Sequence, residues 1–440
     1  MNIADLEKSL SSDYLKNEMV GLMARLYPIC RSITGKGFRE SLNIIDDYVS
    51  LSVVEVPTGT DVYDWKVPKE WNIKDAYVKN SKGKRVIDFQ KSNLHVVGYS
   101  VPIHKTVSLS ELKQHLITLP EHPDWIPYRT SYYKEHWGFC MSYNEMMQLE
   151  EDDYEVHIDS ELKEGHLTYG ECYLKGQTSK EILLSCHACH PSLCNDNVSG
   201  MVLVALLGKY LRSINNYYSI RIIIIPATIG AITWLAMNEG CVTKIKHGLV
   251  VSCVGDPGKT TYKRSRIGNA EIDRAVEHVL KHSGDEYHIM NFSPYGYDER
   301  QFCSPGFNLP VGSLQRTPYG RYPEYHTSAD NCDFVRPEYL YDSFKKYLSV
   351  INVLENNRTY LNTNPKCEPQ LGKRGLYDSV GGQSDKIIDQ MAILWVLNYS
   401  DGTHTLLDIA EKSGMEFCLV SDAANALIKN RLIVASEETR

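Results

Sequence analysis

The sequence has no long hydrophobic run, and this argues against a membrane-spanning protein. No stretch approaches the roughly 20 apolar residues that a helix needs to cross a bilayer. The first residues are acidic and have no apolar core of the kind found in secretory signals. Internal repeats of 20 to 50 residues are also missing, which argues against a solenoid or a propeller. We therefore expect a cytoplasmic protein without a membrane partner.

Basic charge and closely spaced cysteines are also scarce. The net charge of −8 gives no general reason to expect nucleic-acid binding. The 12 cysteines lack the dense spacing of a small disulfide scaffold. Cys186 and Cys189 form one CxxC pair, but no second pair of that spacing follows, so no structural zinc knuckle is predicted. Reduced thiols are the favoured interpretation, and thiolate metal ligands are the alternative.

The length of 440 residues exceeds one ordinary core and predicts two or three domains. Apolar strands alternate with amphipathic helices from Glu181 to His282, which favours a doubly wound, mostly parallel α/β sheet. Ile220–Ile225 is apolar and β-branched throughout, as in a central strand covered on both faces. Residues 64–150 are rich in Trp, Tyr, Pro and His and predict a small β-rich insertion. The α/β domain is accordingly assigned to residues 1–63 and 151–360.

The C-terminal part of the sequence predicts a separate winged helix-turn-helix, assigned to residues 375–440. Three helices, 385–397, 405–413 and 420–429, precede a short strand that begins at Arg431. The last helix offers only Lys429 as a cation, with Arg431 just beyond it and Asp422 opposing them. We therefore favour a structural or dimerising role, and with it a homo-oligomer, over DNA binding.

The stretch Ser185–Gly200 carries the strongest chemical signal. It follows a strand and precedes a helix, the place where open α/β sheets bind their ligands. His187, His190 and Asp196 lie in this loop, and imidazole with carboxylate suits zinc. Capping of the following helix would explain Asn197 and the serine after it, but not two histidines beside a strand end.

A second cluster, Tyr325–Asp330, follows a polar, aromatic loop and contains His326. This histidine alone would be a weak signal. It gains weight because the first cluster already predicts a metal site.

These motifs carry a family resemblance. The segment 195–200, NDNVSG, resembles the DNxSG motif of the zinc aminopeptidase and glutaminyl cyclase superfamily. The segment 326–330, HTSAD, resembles that superfamily's HTxxD motif, and Asp298 followed by Phe302 resembles its SDxxxF segment. Residues 64–71, 127–133 and the C-terminal unit further resemble a bacterial aminopeptidase-like group with an inserted small domain. The resemblance covers nearly the whole chain.

The resemblance implies a zinc-dependent, aminopeptidase-like hydrolase that cleaves an amide or peptide bond of a small substrate. Asp196 would be the central metal ligand, His326 the late ligand, and His187 or His190 the early one. The usual HxD reads here as His187-Ala-Cys189, so its orienting aspartate is missing. Asp256, after a predicted strand, would be a further acidic ligand.

The sequence departs from the superfamily's pattern at two adjacent positions. Ala227 and Thr228 stand where aminopeptidases of this superfamily carry adjacent glutamates, a general base and a ligand. We therefore predict one zinc and a different base, for which Asp298 and Glu299 are the candidates. The alternatives are a non-catalytic metal or peptide binder, a glutaminyl cyclase, or a deacylase on the same fold.

Two further expectations concern the surroundings of the site. The insertion should lie beside the site and contribute Arg129 or Tyr132 to its wall. Five cations are candidates for binding a substrate carboxylate or another anion, although ordinary surface charge is the favoured interpretation for each. These cations are Lys263, Arg264, Arg266, Arg316 and Arg321.

Overall fold

A computed structural model of the chain describes residues 10–376 and 389–436, together with Ile3 and Leu6. The chain divides into two units. The first comprises Met1–Gly268 and His288–Lys345, and the second comprises Asn269–Tyr287 and Lys346–Arg440. In the part of the chain that the structure describes, no helix combines the length and the apolar character needed to cross a membrane.

An eight-stranded mixed sheet forms the centre of the α/β fold. Its four central strands run parallel, and antiparallel strands flank them. Ser219–Ile225 is buried along its whole length, which explains its apolar, β-branched sequence. The predicted fold class is confirmed. In spatial order the strands are Ser52–Pro57, His166–Leu174, Ser219–Ile225, Glu181–His187, Ile245–Val251, Val311–Gln315, Thr260–Lys263 and Tyr287–Met290.

The helices of the first unit largely follow the apolar pattern. The region from Asp13 to Val49 contains two helices. Gly35 separates them with a φ of 95°, and a Cβ there would lie 2.1 Å from the carbonyl oxygen of Trp71. The helices are Ser12–Leu26, Lys36–Asp46, Leu109–Leu112, Tyr143–Met147, Ser199–Leu211, Ile229–Asn238 and Glu299–Phe302, and Pro337–Asn356 runs across the division between the units.

The inserted lobe, which we expected to be β-rich, contains an antiparallel four-stranded sheet. Its strand order is Arg85–Asp88, Glu70–Lys79, Asp153–Lys163 and Ile103–Ser108. The third of these strands lies beyond residue 150, where the sequence placed the end of the insertion. Because it pairs with strands on both sides, the inserted sheet is complete only with residues 153–163.

Among its described residues, the second unit contains a three-stranded antiparallel sheet and, besides the end of Pro337–Asn356, four α-helices. The sheet order is Asp401–Thr405, Thr359–Asn362 and Ile433–Ala435, of which only the last was expected. Arg274 pairs with Asp408 at 2.6 Å, which ties the first helix of this unit to the third. Part of the predicted helix 385–397 lies outside the described residues. The helices are Glu271–His282, Gln390–Tyr399, Leu406–Ser413 and Phe417–Lys429.

Candidate metal centre

The site begins where the central parallel strand Glu181–His187 ends. His187, its last residue, lies opposite Ile225, the last residue of the neighbouring strand. The chain then turns through Cys194–Val198, where Asp196 has non-helical backbone angles, before the helix Ser199–Leu211 begins. This is the carboxyl edge of the sheet, where open α/β folds place ligands.

Three predicted ligands meet at this edge. His187, His190 and Asp196 each offer a ligand atom within 4.8 Å of the others. Nε2 of His187 lies 2.8 Å from Oδ1 of Asp196, and Nδ1 of His190 lies 3.6 Å from Oδ2. His326, from the distant second cluster, brings its Nε2 to 3.1 Å from the same Oδ2.

The protonation states of His190 and Asp196 suit metal binding. Burial lowers the pKa of His190 to about 3, although the Asp196 carboxylate opposes the shift, so the imidazole is neutral. Burial alone would raise the pKa of Asp196, but the surrounding histidines outweigh it and hold the pKa well below its usual range. Metal ligands must be deprotonated in this way.

The residues fit a zinc ion. Imidazole nitrogens and carboxylate oxygens are ordinary zinc ligands. Nδ1 of His190 is buried and has no hydrogen-bond partner among the described residues. A buried polar atom without a partner is costly unless a ligand satisfies it.

Aromatic rings hold the imidazoles in place. Tyr297 stacks on His187 with centroids 4.9 Å apart, and Tyr325 stacks on His326 at 3.9 Å. His326 itself has a φ of 57°, a left-handed backbone that costs free energy in a residue with a side chain. Its exposed fraction, 28%, is the largest of the four candidate ligands, so it marks the side open to solvent.

Asp330 fixes the backbone of the metal loop. Its carboxylate oxygens accept hydrogen bonds from the amides of Asn195 and Asp196, at 2.5 and 3.0 Å. The amide of Cys194 donates to the Asp330 carbonyl at 2.9 Å. The HTSAD motif therefore supplies both a candidate ligand and the support of another.

Asp330→Asn is expected to weaken zinc binding by about 10- to 100-fold, the usual effect of losing an outer-shell partner. The amide can accept at only one of its two terminal atoms, so one of the two backbone amides loses its partner. Competition with a chromogenic chelator measures the affinity. Asp333→Asn, an exposed change three residues away, is the control. Equal zinc affinity in the two variants would contradict this role.

The inserted lobe touches the site through Tyr128. Its ring lies 5.2 Å from that of His190 and 5.1 Å from that of His326, and its amide donates to the His326 carbonyl at 2.8 Å. The sequence pointed to Arg129 or Tyr132 instead. Tyr132 stands behind Tyr128, with the two hydroxyls 2.9 Å apart, and the Arg129 guanidinium donates to the Tyr128 carbonyl. Nothing in the local sequence singles out Tyr128, because the contact comes from almost 200 residues away.

Asp256 is not a member of the cluster, contrary to the expectation that it supplies a further acidic ligand. Its carboxylate accepts hydrogen bonds from the Asn195 side chain at 3.1 Å, from Thr317 and from the Gly258 amide at 2.8 Å. These protein donors occupy both oxygens. Asp256 therefore holds the metal loop through Asn195 rather than facing the candidate ligands.

The two candidate bases have different surroundings. Glu299 is buried in an ion pair with Lys263, with 2.8 Å between Oε1 and Nζ. Asp298 is also buried, and neither of its carboxylate oxygens has a hydrogen-bond partner among the described residues. Burial raises the pKa of Asp298 to about 7, and the neighbouring Glu299 adds to the rise while His187 opposes it. Asp298 is thus within electrostatic reach of a candidate ligand.

Ala227 and Thr228 follow the strand beside His187. The amide of Ala188 donates to the Ile225 carbonyl at 3.0 Å, and Cys189 Sγ lies 3.8 Å from the Ala227 carbonyl oxygen. Thr228 caps the helix Ile229–Asn238 without a side-chain hydrogen bond. Position 227, where the family resemblance would place a glutamate, therefore borders the candidate metal loop.

The candidate anion-binding cations are mostly committed to protein partners. Arg316 pairs with Asp342 at 2.7 Å, and Arg264 and Arg266 donate to asparagine side chains. Lys263 is held by Glu299, and Arg321 is exposed.

The cysteines of the metal loop are buried. Burial raises the pKa of the Cys186, Cys189 and Cys194 thiols, which favours their protonated form over the thiolate.

Comparison with known families and proteins agrees with this architecture. Residues 20–357 match the family described as a domain of unknown function, DUF4910, and residues 358–435 match a winged helix-turn-helix family. A Clostridium acetobutylicum protein is 56% identical over 94% of this chain and 96% of its own length. It is described provisionally as a polysaccharide biosynthesis protein with an aminopeptidase-like domain.

Two solved structures show the same fold. A crystal structure from Clostridium acetobutylicum, described provisionally as a peptidase, has a TM-score of 0.94 at 53% identity, covering 99% of this chain and all of its own. A zinc aminopeptidase from Bacillus subtilis has a TM-score of 0.57 at 10% identity, covering 78% of this chain and 94% of its own. The predicted aminopeptidase-like fold and the C-terminal winged helix are confirmed.

Proposed function

The chain belongs to the DUF4910 family, and we propose that it is a zinc-dependent hydrolase that cleaves an amide or peptide bond of a small substrate. One observation carries the proposal. His187, His190 and Asp196 converge, largely buried, at the carboxyl edge of the sheet of an aminopeptidase-like fold.

The candidate ligands lie on two sides of the site, one buried and one through which a substrate could enter. His187, His190 and Asp196 would hold zinc on the buried side, and His326 on the side that is partly exposed. A zinc ion supplies Lewis acidity and lowers the pKa of water toward about 7. Tyr128, packed against His190 and His326, covers part of this side.

We assign the general base to Asp298. A base must have a free carboxylate near the reacting groups, and both oxygens of Asp298 lack a hydrogen-bond partner among the described residues. A pKa near 7 matches the requirement that a base titrate near the working pH. Glu299 serves a different purpose in this proposal, because its ion pair with Lys263 already engages one carboxylate oxygen.

The fold and the missing glutamates both bear on the substrate class that we propose. Without them, the two-zinc proteolysis of ordinary aminopeptidases lacks two of its groups. The name of the Clostridium acetobutylicum relative refers to polysaccharide biosynthesis, which favours an amide carried on a sugar as the second candidate substrate beside a peptide.

Metal content and an amide panel test the proposal together. Elemental analysis of the purified protein should give about one zinc per chain. The panel should contain aminoacyl anilides, peptides with an N-terminal glutamine and N-acetylated amino sugars. Turnover of one class identifies the reaction. Bound zinc without turnover of any class would favour a metal-binding or peptide-binding protein instead.

Ala227→Glu is expected to keep the zinc and to raise turnover. The new carboxylate would stand beside the metal loop, where related enzymes have their base. The gain should stay below the roughly 10²- to 10⁴-fold of a lone base, because Asp298 already acts as one. Ala227→Gln is the matched control, since it adds the same volume without the charge. Equal turnover in both variants would show that position 227 does not face the reacting atoms.

We further propose that the winged helix does not read DNA and has a structural or dimerising role. Its helix Phe417–Lys429 exposes Lys429 as its single cation and Asp422 as an opposing charge. Nucleic-acid affinity depends on several cations that neutralise phosphates.

A further inference from the structure

A cavity of about 390 Å³ lies apart from the candidate ligands in the first unit. The hairpin Asp61–Lys66 forms one wall, and the helix Ile229–Asn238 forms the floor with Ile232 and Leu235. The chain after the short helix Glu299–Phe302 closes the opposite side with Phe307. The cavity has an apolar base and an open mouth.

Exposed aromatic rings line this cavity. Tyr63 is 51% exposed and Trp65 is 46% exposed, and apolar surface gathered in one place marks a ligand or partner site more often than single exposed rings do. The Tyr63 ring stands edge-on to Phe307, with centroids 6.0 Å apart. Trp65 rests against Tyr133 at 5.5 Å, which holds its ring in place. The rings are therefore positioned by the protein and still accessible.

The charges of the lining are all negative. Asp64 and Glu239 contribute carboxylates, and none of the described residues that line the cavity is a lysine, an arginine or a histidine. The Tyr63 hydroxyl donates to Oε2 of Glu239 at 3.2 Å and fixes this carboxylate beside the ring. The neighbouring Lys66 is turned to Asp61, with which it forms an ion pair.

We propose that this cavity binds a small organic molecule through a primary ammonium group. Aromatic faces attract cations, and carboxylates beside them supply hydrogen-bond acceptors of matching charge. The apolar floor accommodates the carbon skeleton that carries the ammonium group. An amino sugar and the N-terminal residue of a peptide share this chemistry. The inference is independent of the proposed hydrolysis.

Calorimetry with two matched pairs of probes tests the site. The pairs are glucosamine with N-acetylglucosamine, and L-alaninamide with its N-acetyl derivative. The free amine of at least one pair should bind at least about tenfold more tightly than the acetylated form, because acetylation removes the positive charge. The pair that responds distinguishes a sugar from a peptide terminus.

Variants locate the binding. Glu239→Gln and Trp65→Ala should each weaken amine binding by at least about tenfold, while the exposed Glu121→Gln serves as the control. Both changes lie at exposed side chains, so the melting temperature should stay near that of the parent. The same titrations in Asp196→Ala, which is expected to lack zinc, separate this cavity from the candidate metal centre.

Three results would overturn the proposal. Equal affinity for free and acetylated probes would mean that the cavity selects no charge. Unchanged binding in Glu239→Gln and Trp65→Ala would place the amine elsewhere. Loss of binding in Asp196→Ala, with the fold intact, would assign the amine to the metal centre. These three results are binding measurements and do not depend on turnover. They therefore remain decisive even if the hydrolase proposal fails.

Discussion

Asp196→Ala is expected to yield a folded protein that contains almost no zinc and has no measurable turnover on any substrate of the parent. Asp196 is the hub of the cluster, since two histidines lie within 3.1 Å of its carboxylate and His190 lies at 3.6 Å. Its removal takes away one ligand and also the partner that orients the others. Elemental analysis measures the zinc, and the amide panel measures the turnover.

Two control variants make this result specific. Asp256→Asn changes another buried carboxylate that the sequence resemblance proposed as a ligand. We expect it to keep about one zinc, because its oxygens already accept hydrogen bonds from Asn195, Gly258 and Thr317. Cys194→Ser tests the alternative of thiolate ligation and should also keep the metal. Zinc retention in Asp196→Ala, or zinc loss in Cys194→Ser, would refute the assigned ligands.

The fold was predictable where one local pattern determines the structure. Ile220–Ile225 is apolar on both faces, and only the centre of a covered sheet accommodates such a strand. His187 could be placed at a strand end because the strand and the following loop are adjacent in sequence. The motif that contains His326 could be assigned to the same site only through the family resemblance, because 130 residues separate His326 from Asp196.

The differences between the structure and the expectations from the sequence depend on contacts between distant segments. Asp256 follows a strand, as a ligand would, but its partner Thr317 lies 61 residues away and takes up its carboxylate. Tyr128 reaches the site because residues 126–128 pair with residues 326–328, a register that no local pattern encodes. The inserted sheet likewise includes the strand Asp153–Lys163. This strand lies beyond residue 150, where the change in composition placed the end of the insertion.

Asp298→Asn is expected to lower kcat by about 10²- to 10⁴-fold, the usual contribution of a positioned base, while zinc remains bound. Asparagine keeps the shape of the side chain and loses its capacity to take a proton. The change also relieves a buried carboxylate whose oxygens lack partners among the described residues, so the fold should not lose stability. Zinc content, melting temperature and kcat on the best panel substrate are the measurements.

The neighbouring Glu299 provides the matched comparison. Glu299→Gln alone would leave the Lys263 ammonium buried without its countercharge, which destabilises the protein whatever the role in catalysis. The double variant Lys263→Met with Glu299→Gln removes the ion pair as a unit, and we expect it to retain most of the turnover. If the double variant loses as much turnover as Asp298→Asn with zinc bound, the base is not Asp298 alone. If Asp298→Asn is as active as the parent, Asp298 has no part in proton transfer, and Glu299 becomes the remaining carboxylate of the pair.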